Sequence, residues 1–140
     1  MNGRYFIDTN VFVYSFDHSA VRKARRAREL IRQAVAMGSG VVSFQVVQEF
    51  FNVALRKFAK PMASADAQQY LATVFRPLMA VSASEALYAE GLRIAERYRL
   101  SWYDSLILAA AIEADCSVIY SEDLQDGFAA GGVRVMNPFR

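Results

Sequence analysis

Asp8, Glu49, Asp104 and Asp123 are the residues of this chain whose type and placement invite chemistry. Each adjoins an apolar run: Tyr5-Phe6-Ile7 before Asp8, Val46-Val47 and Phe50-Phe51 around Glu49, Leu106-Ile107-Leu108 after Asp104, and Val118-Ile119-Tyr120 shortly before the Glu122-Asp123 pair. An ionised carboxylate in such company needs a compensating cation. The only lysines are Lys23, Lys57 and Lys60, none of them near the four acids along the chain, and His18 is the sole histidine. A zinc site built on several histidines is therefore excluded. The carboxylates remain as a hard oxygen set suited to Mg2+ or Mn2+. An ion held there would activate water and neutralise charge on a phosphodiester during in-line attack.

Each acid also has a plainer reading. Asp8 can simply cap the turn after a strand, although Thr9 and Asn10 beside it add neutral groups able to hold water or orient a carboxylate. Glu49 lies on the border of an apolar helical face, where solvated glutamates are common. Asp104 opens an alanine-rich helix, and an acid there stabilises the helix dipole by about 0.3–1 kcal/mol. The dipole does not explain why Asp104 shares a helical stripe with Leu108 and Ala111. Glu122 and Asp123 cannot both point inward from one turn, and Asp123 is the better ligand. Asp126, beside Gly127, is a weaker candidate that reads first as a plain turn. Taken together, the acids fall at several strand–helix junctions, where an α/β fold keeps its site.

The elements that must position them follow from periodicity. A strand over 4–8 presents Asp8 at its C-terminal end, and a short helical turn over 11–16 follows. Ser19 is the expected N-cap of a helix running to about residue 37, with Ala24, Ala27, Ile31, Ala34 and Val35 on one face and Gly38 and Gly40 ending it. Val41-Val42-Ser43 reads as the second strand. Val46, Val47, Phe50, Phe51, Ala54, Leu55 and Phe58 mark the next helix, which Pro61 breaks. Ser64 is the expected cap of a helix over 65–75, residues 78–81 form a short strand, and Ser82 or Ser84 starts a long helix ending near Arg99. Residues 103–115 form the clearest helix, and residues 118–120 and 133–136 the last strands. Such alternation implies right-handed crossovers and a sheet covered on both faces. The expected fold is α/β, a three-layer α/β/α sandwich with a short, mainly parallel central sheet, in a single domain over 1–140.

Composition is consistent with that architecture. With 54% apolar and 21% charged residues, the 140-residue chain reads as an ordinary globular protein rather than a disordered one. A net charge of +2 demands no polyanionic partner, yet Arg22, Lys23, Arg25, Arg26 and Arg28 fall within seven positions. Cys116 is alone, so no intramolecular disulfide forms. With no secretory leader pattern and no run long enough to span a bilayer, a cytoplasmic protein without membrane contact is expected.

Four segments carry a resemblance: Phe6-Ile7-Asp8-Thr9-Asn10-Val11, Gln48-Glu49-Phe50, Trp102-Tyr103-Asp104-Ser105-Leu106-Ile107-Leu108-Ala109-Ala110-Ala111, and Tyr120-Ser121-Glu122-Asp123-Leu124-Gln125-Asp126-Gly127. The closing Val135-Met136-Asn137-Pro138-Phe139 adds to them. In their order and spacing these resemble a PIN domain of the VapC-type toxin ribonucleases found in bacterial and archaeal toxin–antitoxin pairs, and the likeness covers nearly the whole chain. The resemblance implies that Asp8, Glu49, Asp104 and Asp123 are catalytic and bind one or two Mg2+ or Mn2+ ions. It further implies that Asn10 and Ser121 support the cluster by hydrogen bonds, with Thr9 and Glu122 as further supporting candidates. The implied substrate is RNA, single-stranded or in exposed loops and often one tRNA or rRNA site. The implied partners are a second copy in a homodimer and a cognate VapB-type antitoxin that blocks the site.

On that reading Arg22, Arg25 and Arg26 are candidates for contacting RNA phosphates, the plainer alternative being a solvated basic face. Phe16 and His18 are candidates for stacking on an unpaired base, with core packing the plainer role for Phe16. Two other readings compete. A haloacid-dehalogenase-like phosphatase also places an aspartate after its first strand, but it needs a second acid where this chain has Asn10, and a lysine near the phosphate. A catalytically inactive PIN scaffold that binds RNA or protein would keep the fold without the reaction.

Overall fold

The computed structural model describes residues 3–140. The first strand, β1 (Arg4–Ile7), ends in the fully buried pair Phe6 and Ile7 and leads through Asp8 into α1 (Thr9–Tyr14). After α2 (Val21–Met37) the chain turns at Gly38, whose φ of 73° is left-handed, and enters β2 (Gly40–Ser43), every residue of which is buried. Gly40 is needed for closeness: a Cβ there would meet the Ala34 methyl at 2.5 Å, so glycine lets the end of α2 close down on the sheet. The next elements are α3 (Phe44–Ala54), α4 (Ser64–Tyr70), a wider π turn (Leu71–Phe75), α5 (Arg76–Leu78) and the edge strand β3 (Met79–Val81). They are followed by α6 (Glu85–Tyr98), α7 (Trp102–Glu113), β4 (Cys116–Tyr120), β5 (Ala129–Ala130) and β6 (Val133–Met136).

The strands form one sheet in the order β3-β2-β1-β4-β6-β5. All pairings are parallel except β5 with β6. From central β1 the chain builds outward to β2 and β3, then returns to the other side of β1 as β4. That reversal opens a crevice at the carboxyl ends of β1 and its neighbours, the position where open parallel sheets bind ligands. The expected α/β architecture with a mainly parallel sheet is therefore present.

Several local expectations need correction. Ser19 does not cap α2; Ala20 takes that position, while the Ser19 hydroxyl and amide both donate to Asp17 Oδ1, at 2.6 and 2.9 Å, closing a turn. Ser64 is the first residue of α4 rather than its cap. The helix expected over 65–75 divides into α4 and the π turn, because this segment wraps an aromatic cluster rather than lying flat on the sheet. Within that cluster Phe50 faces Phe12, Phe16, Phe58, Tyr70 and Phe75 with ring centroids 5.2–6.5 Å apart. Phe16 thus packs in the core, and His18 is exposed. Helix α3 stops at Ala54, well before Pro61. The two-residue β5 carried no periodic signal and went unforeseen. Ser84 does cap α6, its Oγ accepting from Leu87 N at 3.1 Å. No helix among the described residues is long and apolar enough to cross a membrane.

Candidate active site

β1 and β4 run side by side with Ile7 opposite Tyr120, and Asp8 N donates to Tyr120 O at 3.0 Å, extending the ladder one step beyond β1. The next residue of each strand therefore emerges beside the other, and Asp8 meets Ser121. The Ser121 hydroxyl, fully buried, donates to Asp8 Oδ2 at 2.7 Å and accepts from Asp123 N at 3.1 Å and Leu124 N at 3.2 Å. One hydroxyl thus sets the Asp8 rotamer and folds the turn that carries Asp123. Asn10, in the first turn of α1, spans the same gap. Its Nδ2 lies 3.2 Å from both Asp8 Oδ2 and Asp123 Oδ2, and its Oδ1 accepts from Glu122 N at 3.2 Å. Two carboxylates from segments more than a hundred residues apart are held on a single side-chain amide.

Glu49 joins through Thr9, whose Oγ1 donates to Glu49 Oε1 at 2.6 Å. Its other oxygen accepts from Gln45 Nε2 at 3.1 Å, and the same Nε2 reaches the carbonyl of Tyr103 at 3.2 Å. Gln45, 4% exposed, therefore docks the start of α7 against Glu49 and brings the Asp104 turn to the rim. Nothing in the sequence singled out Gln45; the one available signal was a polar residue on a helical face among Phe44, Val46 and Val47. Asp104 is half-buried, its backbone N–H donates to the Ser101 cap at 3.2 Å, and its carboxylate makes no hydrogen bond with the other three acids. The fold thus links Asp8 to Asp123 through Asn10 and Ser121 and joins Glu49 to them through Thr9, while Asp104 is approached only by the Gln45 contact to Tyr103.

Residues 5–130 match the PIN domain. The chain belongs to the PIN-domain family. PIN domains are generally nucleases. The crystal structure of FitAcB from Neisseria gonorrhoeae has the same fold, with a TM-score of 0.63 and 18% sequence identity, covering 96% of this chain and 98% of that one. No curated protein matches the chain.

Electrostatics set Asp8 apart from a surface carboxylate. Burial pushes the Asp8 carboxyl up to about 6; bonds from Ser121 and Thr9 pull it down, and the charges of Asp123 and Glu49 add to the upward push. The unfolded chain releases this proton near 3.8, whereas the folded one keeps it to about 6. Between those values the folded state holds more protons, so stability falls as pH rises through the window. The two-unit displacement corresponds to roughly 3 kcal/mol. In chelator, the unfolding free energy of the wild type relative to Asp8→Asn is expected to fall by about that amount between pH 4 and 7, as read from urea denaturation. A flat difference across the window would show that Asp8 ionises freely.

Among the described residues, no three His, Cys, Asp or Glu side chains gather closely enough to cage an ion by themselves. The donor set nonetheless fits a hard divalent cation. Asp8 is buried, its hydrogen-bond partners Thr9, Asn10 and Ser121 are all neutral, and its charged neighbours Asp123 and Glu49 repel it. Mg2+ commonly uses only one or two carboxylates and fills its remaining positions with water and substrate phosphate. Asp8 and Asp123 would hold such an ion.

The Glu122 side chain and two of the three candidate arginines bond away from the other acids. The Glu122 side chain turns away from the acids to accept from Tyr14 Oη at 2.6 Å and Lys23 Nζ at 2.5 Å, and only its backbone N–H supports Asn10. Lys23 holds the Glu122 carboxyl below the usual range. Of the arginines, Arg22 and Arg26 donate to the carbonyls of Phe139 and Pro138, at 3.3 and 3.1 Å, because the tail after β6 folds back over α2. Arg22 and Arg25 are both exposed, and of the three Arg25 alone has no hydrogen-bond partner among the described residues.

Proposed function

We propose that this PIN domain, read as one domain over 1–140, is an Mg2+- or Mn2+-dependent endoribonuclease. We read it as the cytoplasmic toxin of a VapBC-type pair that restrains translation, with a cognate VapB-type antitoxin and a homodimeric state. The observation that carries the nuclease reading is the sharing of the Asn10 amide by Asp8 and Asp123 at the β1–β4 crevice. A bound divalent ion supplies an activated water and charge neutralisation on the phosphodiester. Asp8 and Asp123 would hold it; Asn10 and Ser121 fix their orientation; Thr9 and Gln45 aim Glu49; and Asp104 or Asp123 would serve as the proton acceptor. The exposed Arg25 is the arginine best placed to meet RNA phosphates, with Arg22 and Arg26 contributing the donors that the tail does not use. The phosphatase alternative loses ground here, since Lys23, the lysine that the fold brings beside the site, is committed to Glu122. Purified protein incubated with a labelled RNA pool is expected to cut internally with Mg2+ or Mn2+ and not with chelator. Release of phosphate from a small phosphomonoester without RNA cleavage would reverse the assignment.

A further inference from the structure

Glu122 is the member of the site turn that the reaction does not use, yet both its backbone N–H and its carboxylate are bonded to α1 and α2. Its backbone N–H donates to Asn10 Oδ1, one carboxylate oxygen accepts from Tyr14 of α1, and the other accepts from Lys23 of α2. Lys23, half-exposed, lies against two aromatic rings. Its Nζ lies 3.4 Å from Tyr14 Oη, 4.8 Å from the centroid of the Tyr14 ring and 5.8 Å from that of Phe139. The two rings meet edge to face at 5.1 Å. Phe139 is buried and cannot drift, because Arg22 and Arg26 hold the carbonyls of Phe139 and Pro138 and the Phe139 N–H donates to Asn137 Oδ1 at 2.9 Å.

We propose that Lys23 is a positioning residue: through Glu122 it clamps the 121–124 turn to α1 and α2, so that Asn10 and Asp123 stay registered with Asp8 and the site is set to receive its cation. The inference rests on the nuclease reading for its purpose, but on geometry alone for the clamp. The physical need is clear. Asp123 and Glu49 both repel Asp8 before an ion arrives, and the bonds that tie the Ser121–Leu124 turn to Asp8 and Asn10 lie within the repelling cluster itself, so an anchor outside it is needed to resist the push. A lysine–carboxylate pair braced by two aromatic rings sets the turn from outside, where the cation cannot compensate the acids and so compete with the metal. Arg22 and Arg26 then serve the same clamp by seating Phe139.

The test compares Lys23→Met and Lys23→Arg in the full chain. Lys23→Met is expected to keep its melting temperature within about 2 °C of wild type. The amides of residues 122–124 should exchange with solvent about tenfold faster, and the Mn2+ dissociation constant, followed by electron paramagnetic resonance without RNA, should rise about tenfold. Lys23→Arg, which can still pair with Glu122 and lie on the rings, should return both to within about threefold of wild type. At saturating Mn2+ the kcat of Lys23→Met should recover, placing the defect in cation uptake. Unchanged exchange and Mn2+ affinity in a folded Lys23→Met overturn the proposal. So does a variant whose only defect is a raised KM for RNA, since that makes Lys23 a phosphate contact. If Lys23→Met does not fold, Glu122→Ala carries the same comparison with the same expected changes. A wild type that binds no Mn2+ and cuts no RNA would instead defeat the nuclease reading, and the exchange rates would then decide the clamp by themselves.

Discussion

Asp8→Asn is expected to lower metal-dependent RNA cleavage about a thousandfold, the several kcal/mol that a lost metal-binding charge is worth to a phosphoryl transfer. Two losses combine. The substitution removes the most deeply buried charge of the cluster, and it places an amide where Asp8 now offers only acceptors. Oδ1 takes the Thr9 N–H at 2.7 Å, and Oδ2 takes Ser121 and Asn10. An asparagine must turn its NH2 toward one of these donors, so Ser121 and Asn10 lose their anchor and Asp123 loosens with them. The variant should nevertheless remain folded at pH 8, because the uncompensated buried charge is gone. In wild type, saturating Mn2+ should raise the melting temperature; in Asp8→Asn that rise should vanish. Single-turnover cleavage of a labelled RNA pool, with and without Mn2+, measures the first effect, and thermal denaturation the second. A folded Asp8→Asn that keeps more than about a tenth of wild-type turnover would remove Asp8 from the machinery.

Phe50→Ala carries the largest expected cost in stability. Phe50 is fully buried one residue after Glu49 on α3, and its ring stacks on Tyr70 at 5.2 Å while meeting Phe12, Phe16, Phe51, Phe58 and Phe75 edge-on or tilted. Truncating a phenylalanine so enclosed costs about 3–5 kcal/mol through lost transfer energy and an unfilled cavity. Against a typical total of about 5–15 kcal/mol, that leaves a marginal protein. Urea denaturation should show the loss directly, whereas the exposed Leu92→Ala control should stay within about 0.5 kcal/mol of wild type. A loss below about 1 kcal/mol for Phe50→Ala would mean that the aromatic cluster repacks, and that α3 is not held as described.

Because α3 carries Gln45 and Glu49 as well as Phe50, the two substitutions also separate site from scaffold. Asp8→Asn should spare folding and abolish chemistry; Phe50→Ala should weaken folding and, while folded, leave Asp8 and Asp123 paired, since their contacts run through α1 and the β4 turn.

Much of this fold was legible in local pattern. Buried strands announce themselves as short apolar runs, and the residue after each run is delivered to a sheet edge, so Asp8 and the Ser121–Asp123 turn could be placed from period and turn chemistry alone. The same holds for α7, whose buried alanines follow a serine cap at Ser101. Errors arose where a local rule met a tertiary alternative. Ser19 has the chemistry of a cap, but its amide and hydroxyl both bind Asp17 Oδ1 in the preceding turn, and Ala20 takes the cap position. Leu55 and Phe58 continue the spacing of α3, but the chain leaves the helix so that Phe58 can reach Phe16 and Phe50.

The site divides along the same line. Its acids, its neutral partners Thr9, Asn10 and Ser121, and the α/β alternation that carries them are properties of short segments, and short segments can be read one at a time. Which groups touch was settled by the return of β4 to the side of β1. That crossing set Asp8 beside Ser121, gave Asn10 two carboxylates to hold, and let Gln45 bridge Glu49 to α7. It also brought Lys23, ninety-nine residues away in the chain, onto Glu122 rather than onto the acids. A lysine that is absent along the sequence can thus be present in space, because hydrogen bonds and charge pairs depend on distance in the fold, and the chain's own order does not encode that distance.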